Sequence, residues 1–153
     1  MNAWILVCDD EAHIRHIIAH KLRGVGFNVV EARNGQEAMS LLDPAGKNPL
    51  RPSLVITDFQ MPLITGLELC KSLKVRSDTR QTPVLMLTAR GYILTDEELA
   101  QTNIRQVISK PFGVRQLLER VVEVLIGECP DLVPEALRER RGPGAASAGP
   151  LAA

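Results

Sequence analysis

The amino-acid sequence predicts an α/β fold in which a doubly wound, five-stranded parallel sheet has helices on both faces. One observation is that short apolar runs alternate along the chain with longer segments whose apolar residues recur at helical spacing. A second is that the short runs are nearly continuously apolar, which is typical of strands covered on both sides. Right-handed crossovers between consecutive strands then place the intervening helices on the two faces of the sheet.

The first strand is predicted at residues 4–8, an apolar run that ends at the acidic residues 9–11. A helix is predicted at residues 12–25, because its isoleucine, leucine and valine side chains fall on one face at helical spacing. Gly24 and Gly26 are expected to end this helix, as glycine commonly does at helix C-termini.

The second strand is predicted at residues 28–32, and an Asn-Gly turn leads from it to a short helix at residues 36–42. Residues 43–53 contain proline and glycine and are predicted to form a loop longer than most connections of this kind. The third strand is predicted at residues 54–58. A Met-Pro turn and a helix at residues 66–74 follow it.

The fourth strand is predicted at residues 83–88, where a proline opens an apolar run. A short helix follows at residues 96–101, and the fifth strand is predicted at residues 106–109. The last helix, at residues 114–126, is amphipathic, with leucine and valine side chains along one side. Strands and helices therefore alternate along the whole domain.

The composition of the 153 residues is that of one globular domain with a tail. The formal net charge is zero, which argues against binding of nucleic acid through a basic surface, and no apolar run reaches membrane-spanning length. The three cysteines form no CxxC pair, so neither a disulfide framework nor a zinc site is expected, and a cytoplasmic protein is predicted. The domain is predicted at residues 1–127, and residues 128–153 are predicted to be a disordered tail rich in Pro, Gly and Ala.

Polar residues that can carry chemistry stand at the C-terminal ends of four predicted strands. Asp9 and Asp10 follow the first strand, Asp58 ends the third, Thr88 ends the fourth and Lys110 follows the fifth. With the strand order 2-1-3-4-5, the topological switch point of the sheet lies between the first and third strands. Ligands of open parallel sheets bind in the crevice at this point. The three carboxylates would converge there, with the hydroxyl and the ammonium group beside them.

Three carboxylates in one crevice repel one another unless a cation lies among them. Mg²⁺ is the predicted cation, since it binds a few carboxylates and keeps water or substrate oxygens as further ligands. A cation beside a lysine and a hydroxyl suits phosphoryl transfer, in which Lys110 and the metal neutralise the developing charge. One oxygen of Asp58 can ligate the metal while the other attacks phosphorus and forms an aspartyl phosphate.

In order and spacing, these residues resemble the receiver domain of bacterial two-component response regulators, in its stand-alone, chemotaxis-regulator-like form. The resemblance rests on Asp9, Asp10 and Glu11, on residues 55–58 with Met61, Pro62 and Gly66, on Thr88 and Ala89, and on residues 110–112. It covers roughly residues 4–127. It implies a flavodoxin-like sheet, a cis Lys110–Pro111 peptide, and a phosphoryl donor that is a histidine kinase or a histidine phosphotransfer protein.

The resemblance also implies a role for each residue of the set. Asp58 would be the phosphoacceptor. Asp10 and Asp58 would bind Mg²⁺ together with the backbone carbonyl of Gln60, and Asp9 would assist through a water molecule. Lys110 would pair with the phosphoryl group. Output would pass through contacts with another protein, without nucleic acid or a membrane.

By the same resemblance Thr88 is the switch hydroxyl, and Gln60 and Arg90 are the two positions that flank the phosphorylated aspartate and tune its hydrolysis. The chain departs from the family at Val107, where a Tyr or Phe usually stands three residues before the lysine. The fifth strand therefore lacks an aromatic partner for Thr88. Tyr92, in the loop after Thr88, is a candidate substitute.

Two other functions stay open at this point. One is a pseudo-receiver that binds partners without phosphorylation, which Val107 permits and the acidic crevice opposes. The other is an aspartyl-phosphate-forming phosphatase of the haloacid dehalogenase type. Such phosphatases need a second aspartate two residues after the nucleophile, and this chain has Gln60 there. The leading expectation is a protein that catalyses only its own phosphoryl transfer and dephosphorylation.

Overall fold

Five parallel strands form the central sheet of the computed structural model, which describes residues 2–89 and 92–139. The strands are β1 (Trp4–Cys8), β2 (Asn28–Ala32), β3 (Leu54–Asp58), β4 (Val84–Thr88) and β5 (Ile104–Ser109). Their order in the sheet is β2-β1-β3-β4-β5, and every neighbouring pair is parallel. The predicted doubly wound architecture is therefore confirmed, with its topological switch point between β1 and β3.

Helices cover both faces of this sheet. They are α1 (Ala12–Gly24), α2 (Gly35–Leu42), α3 (Gly66–Val75), α4 (Asp96–Ala100), α5 (Val114–Glu128) and α6 (Glu135–Glu139), with a 3₁₀ turn at Pro130–Leu132. α1 and α5 pack together on one face, whereas α2 and α3 lie on the other, where Leu99 of α4 also packs. Within the described ranges, no helix combines the length and the apolar character that crossing a membrane requires.

Alternate residues of each strand contribute to two apolar cores, one on each face of the sheet. In β1, Ile5 and Val7 belong to the core under α1 and α5, whereas Leu6 and Cys8 belong to the core under α2 and α3. All four side chains are fully buried. Burial of a Leu or Ile side chain stabilises a protein by roughly 1.5–3 kcal/mol. Strands between two cores are therefore apolar at nearly every position, which is the pattern seen in the sequence.

β5 begins at Ile104, two residues before the predicted start. The pairing of β5 with β4 contains a bulge near this end of the strand. The register of the β4–β5 pair shifts between its first two partners, which are Val84 with Ile104 and Leu85 with Gln106. Arg105 is the extra residue, and its Nε lies 2.9 Å from a carboxylate oxygen of Glu128 at the end of α5. An exposed charged residue inside the apolar run concealed the true start of the strand.

The chain after α5 folds back against the amino end of the sheet. The backbone N–H of Ala3 donates to the carbonyl of Leu132 at 2.9 Å. Val133 is 1% exposed and Leu137 is 8% exposed, and both belong to the core under α1 and α5. The segment that follows α5 is therefore part of the packed domain.

This packing corrects the prediction of a disordered tail at residues 128–153, as far as residues 128–139 are concerned. The prediction of a tail rests on the content of Pro, Gly and Ala, although Val133 and Leu137 have helical spacing and the sequence is compatible with a helical turn or two at residues 133–140. Residues 140–153 lie outside the described residues, and for them the tail stays a prediction.

Candidate functional site

Three carboxylates meet at the carboxyl end of the sheet. Asp9 and Asp10 follow β1, and Asp58 ends β3, the strand that pairs with β1. One oxygen from each of the three side chains lies within 4.8 Å of the others. Asp9 is fully buried and Asp58 is 5% exposed, whereas Asp10 is open to solvent. The pairing of β1 with β3 thus brings Asp58 next to Asp9 and Asp10, which lie far from it in the sequence.

Lys110 follows β5 and extends its ammonium group toward these carboxylates. Its Nζ lies 3.4 Å from Oδ1 of Asp58 and 3.5 Å from Oδ2 of Asp9. Its backbone N–H donates to the carbonyl of Thr88 at 2.8 Å, which joins the ends of β5 and β4. The Lys110–Pro111 peptide is cis, as expected.

The site holds three carboxylates and the ammonium group of Lys110, and burial makes the negative charges costly. Burial, followed by the charge of Asp9, raises the pKa of Asp58 to about 6, although the Lys110 ammonium group opposes the rise. The pKa of Asp9 is also raised, mainly by burial. Burial acts to lower the pKa of Lys110, but the charges of Asp9 and Asp58 outweigh it and raise that pKa. One lysine does not neutralise the carboxylates, so the site favours a bound cation.

Hydrogen bonds from the segment that follows help to hold Asp9 in place. Its Oδ1 accepts the backbone N–H of Glu11 at 2.9 Å, and its carbonyl oxygen accepts Nη1 of Arg15 at 2.8 Å. The Nε of Arg15 lies 3.3 Å from Oε1 of Glu31 on β2. Glu11 in turn reaches Nζ of Lys110 at 3.5 Å. A network of charged groups therefore surrounds the end of β1.

Arg15 belongs to none of the motifs that point to the site in the sequence. It precedes Ile18, Ala19 and Leu22 by three, four and seven residues, and all of these are buried residues of α1. Helical periodicity therefore places this arginine on the buried face of α1, and that is the signal by which it could have been found.

α3 begins directly against the backbone at the end of β3. The N–H of Gly66 donates to the carbonyl of Phe59 at 2.8 Å. A Cβ at Gly66 would lie 2.2 Å from the carbonyl oxygen of Asp58, so only glycine fits at this position. Thr65 caps the helix, because its side-chain oxygen accepts the N–H of Glu68 at 3.1 Å. This contact sets the position of the Asp58 backbone relative to α3.

The Met-Pro turn between β3 and α3 contains a residue in the left-handed region. Leu63 has a φ of 71°, and its side chain is 79% exposed. The N–H of Ile64 donates to the carbonyl of Pro62 at 2.8 Å, which closes a three-residue γ-turn. A γ-turn with positive φ is a strained conformation for a residue that carries a Cβ.

The remaining residues of the predicted site differ in their placement. Thr88 ends β4 and is fully buried, and its Oγ1 has no hydrogen-bond partner among the described residues. Gln60 lines the cleft beside Asp58. Val107 is half-buried on β5 and is not among the described residues that line the cleft. Arg90 lies outside the described residues.

Asp10 and Asp58 line an open cleft of about 940 Å³. Asp58 and Lys110 belong to its polar end. Ile14 and Ile17 of α1, together with Phe112 after β5, form an apolar wall. A reactive group carried by another protein can therefore approach Asp58 along this wall.

The donor set of the acidic cluster fits Mg²⁺. The carboxylate oxygens of Asp9, Asp10 and Asp58 are hard ligands, and three of them leave room for water or phosphoryl oxygens in an octahedral shell. The cluster contains neither cysteine nor histidine, which are the ligands that zinc and copper favour. The charges of Asp9 and Asp10 contribute, after burial, to the raised pKa of Asp58, so a dication among these carboxylates would reduce their repulsion.

Comparisons with known proteins identify the family. The family model described as the response regulator receiver domain matches residues 5–122. The chemotaxis response regulator CheY4 of Vibrio cholerae superposes with a TM-score of 0.72 at 31% identity, over 82% of this chain and 100% of that chain. The receiver domain of the Francisella response regulator 1452 gives a TM-score of 0.66 at 28% identity, over 80% of this chain and 96% of that chain.

Curated relatives share the same region and are longer. The protein named "Probable transcriptional regulator ycf27" of Porphyra purpurea is 36% identical over 121 residues, which are 79% of this chain and 46% of that protein. The phosphate regulon transcriptional regulatory protein PhoB of Escherichia coli (strain K12) is 35% identical over 133 residues, or 87% of this chain and 56% of PhoB. The chain thus spans about half the length of the curated relatives it matches. The family model and the shared fold confirm the resemblance seen in the sequence, and the chain belongs to the response regulator receiver domain family.

Proposed function

We propose that this chain is a phosphoacceptor response regulator of two-component signalling, phosphorylated on Asp58 by a histidine kinase or a histidine phosphotransfer protein. The observation that carries the proposal is the buried Asp58 carboxylate, which lies 3.4 Å from Lys110 and beside two further carboxylates at the end of the sheet. We place the reaction in the cytoplasm. The free cysteines Cys8, Cys70 and Cys129 support this placement, because unpaired thiols suit a reducing compartment.

In this proposal Asp58 is the nucleophile. One of its carboxylate oxygens forms a bond to phosphorus while the bond between phosphorus and the imidazole nitrogen of the donor breaks. Lys110 already lies within 3.5 Å of two carboxylates and would pair with a phosphoryl oxygen of the product. The burial of Asp58 limits the access of water to the acyl phosphate.

The residues that would hold Mg²⁺ are Asp9, Asp10 and Asp58, together with the backbone carbonyl of Gln60. When bound, the ion neutralises charge on the phosphoryl group as it is transferred. Thr88 stands at the end of β4 with a buried hydroxyl, which would donate a hydrogen bond to a phosphoryl oxygen. Asp9 is held by backbone contacts and would act through a water molecule.

We further propose that output passes through contacts with another protein. Gln60 and Arg90 would tune the lifetime of the acyl phosphate, and Val107 would alter how the signal leaves the site. The matched region is 46% of one curated relative named as a transcriptional regulator and 56% of the other, so their activity is not carried over to this chain. The absence of a nucleic-acid partner therefore stays a prediction, and it rests on the zero net charge.

A second candidate function is that of a pseudo-receiver that binds its partner without phosphorylation. The observation that favours it is Val107, which places an aliphatic side chain where the family has an aromatic one. Gln60 argues against an aspartyl-phosphate phosphatase, because such enzymes need an aspartate two residues after the nucleophile and this chain has Gln60 there.

Incubation with Mg²⁺ and acetyl phosphate, followed by measurement of the intact mass, tests these functions. We expect wild type to gain one phosphoryl group and Asp58→Asn to gain none. Asp131→Asn removes an exposed carboxylate from the 3₁₀ turn and serves as the control that should react like wild type. Lack of an adduct in wild type would favour the pseudo-receiver, and repeated turnover of assorted phosphate esters would favour the phosphatase.

A further inference from the structure

β5 lacks the side chain that the family uses to follow the state of the switch hydroxyl. Val107 pairs with Met86 of β4 and packs against the core under α2 and α3. Its aliphatic side chain offers neither a ring nor a hydroxyl to Thr88. The Oγ1 of Thr88 is buried and has no hydrogen-bond partner in the part of the chain that the structure describes. A displacement of this hydroxyl therefore has no aromatic side chain on β5 to move.

Tyr92 is an aromatic residue outside β5 that is placed to respond to such a displacement. It is the one tyrosine of the chain, and it packs against the same core as Val107. Its backbone N–H donates to the carbonyl of Ala89 at 3.2 Å. Because Ala89 follows Thr88 directly, this hydrogen bond would pass a movement of Thr88 toward the carboxylates on to Tyr92.

The ring of Tyr92 also contacts the segment that carries the phosphoacceptor. It lies against the ring of Phe59, the residue after Asp58, with 4.2 Å between the ring centroids and an angle of 36° between their planes. The N–H of Phe59 donates to the carbonyl of Leu87 at 2.8 Å, so Phe59 is attached to both β3 and β4. Tyr92 therefore contacts the site from two sides, through Ala89 and through Phe59.

The hydroxyl of Tyr92 points away from the site, toward the start of α4. It donates to Oε2 of Glu98 at 3.3 Å. Glu98 and Thr95 form the capping box of α4, in which Oε1 of Glu98 accepts the N–H of Thr95 at 2.9 Å and Oγ1 of Thr95 accepts the N–H of Glu98 at 3.0 Å. The five residues of α4 include no buried one, and the helix is held by the partly buried Leu99 together with these polar links at its N-terminus.

We propose that Tyr92 transmits the phosphorylation state of Asp58 to α4, through its ring on Phe59 and its hydroxyl on Glu98. The inference rests on the proposed function of Asp58. When Thr88 turns its hydroxyl toward a phosphoryl oxygen, Ala89 moves with it and the ring of Tyr92 slides on Phe59. The hydrogen bond to Glu98 then changes, and the N-terminus of α4 changes position. The surface of α4, from its cap Thr95 to Ala100, is where a protein partner distinguishes the two states.

The single tyrosine permits a direct test of this route. Protein labelled with 3-fluorotyrosine has one ¹⁹F resonance of its own, from residue 92. Addition of Mg²⁺ and beryllofluoride, a mimic of the acyl phosphate, should shift that resonance in wild type and leave it unchanged in Asp58→Asn. Bound beryllofluoride has its own ¹⁹F signals, so the same spectrum reports whether the site is occupied. An occupied site with an unshifted residue 92 would overturn the inference alone. An unoccupied site together with the absence of an acetyl phosphate adduct would overturn the proposed function and the inference with it.

Hydrogen exchange of the α4 amides tests whether Tyr92 passes the phosphorylation state of Asp58 to α4 or only packs beside it. In wild type, we expect exchange at residues 96–100 to change on phosphorylation. Tyr92→Leu should lose this change, and Tyr92→Phe, which keeps the ring and lacks the hydroxyl, should lose most of it. Intact mass should show the same phosphorylated fraction in all of these proteins. Ile93→Ala alters the neighbouring side chain, which is 84% exposed, and is the control that keeps the full response. A full response in Tyr92→Leu would overturn the proposal.

Discussion

Replacement of Asp58 by asparagine is expected to stabilise the metal-free protein at neutral pH. In the folded protein, burial and the charge of Asp9 raise the pKa of Asp58 from 3.8 to about 6. Between these two values the folded state binds more protons than the unfolded state, so stability falls as the pH rises through the interval. Above pH about 6 the ionised carboxylate imposes its full destabilisation. Asparagine carries no charge at any of these pH values, so the variant lacks this destabilisation.

The size of the effect follows from the shift. About two pKa units, at about 1.4 kcal/mol per unit, correspond to roughly 3 kcal/mol in the free energy of unfolding. The attraction of Lys110 is already contained in this figure, because it opposes the rise of the pKa. Lys110 also keeps Asp9 as a partner at 3.5 Å in the variant, so the substitution leaves no isolated charge in the cleft.

Urea denaturation followed by the fluorescence of Trp4, the one tryptophan of the chain, measures this difference. Without metal, we expect Asp58→Asn to be more stable than wild type at pH about 7.5, and the difference to shrink at pH about 4. Mg²⁺ should stabilise wild type more than the variant, since a ligand stabilises the state that binds it. Asp131→Asn should behave like wild type. An Asp58→Asn protein that is less stable than wild type at both pH values would refute the reasoning.

Three further substitutions test packing and backbone strain through urea unfolding. Gly66→Ala should destabilise by roughly 1–3 kcal/mol, because its Cβ would lie 2.2 Å from the backbone of β3. Gly127→Ala in α5 is the matched control, because its Cβ would meet no described atom within 4 Å, and it should stabilise by about 0.5–1 kcal/mol. A similar loss of stability in both variants would contradict the close contact between Gly66 and Asp58. Leu63→Gly should stabilise by up to about 1 kcal/mol through relief of the positive φ, whereas a loss would show that the exposed side chain makes stabilising contacts. Val133→Ala should destabilise by about 1.5 kcal/mol. Its control is Val75→Ala, at a side chain that is 83% exposed, which should destabilise by less than about 0.5 kcal/mol. Equal effects of the two substitutions would argue against the packing of the C-terminal segment.

The sheet and the meeting of the acidic residues were predictable because a parallel sheet has a simple geometry. All carboxyl ends of its strands lie on one edge, so assignment of the strands places Asp9, Asp58 and Lys110 together without knowledge of any distance. The apolar runs identify these strands clearly, since each strand is buried on both faces.

Features that depend on tertiary distances were not predictable from the same patterns. Gly66 stands at the start of a helix, where glycine has no special local signal, and its role appears only through its distance from the Asp58 carbonyl. Helical periodicity places Arg15 on the buried face of α1, but it does not identify Asp9 as its partner. The burial of Val133 and Leu137 depends on a turn that returns the chain to the amino end of the sheet.

The bulge in β5 has a consequence for the behaviour of the protein in concentrated solution. β5 is the last strand of the sheet, and the outer side of such a strand offers backbone N–H and carbonyl groups to any other extended chain. The bulge at Arg105 breaks the regular spacing of these groups, and the ion pair with Glu128 places charge beside them. A foreign strand added there would forgo hydrogen bonds and bury charged groups. This edge is therefore a poor template for sheet extension and aggregation.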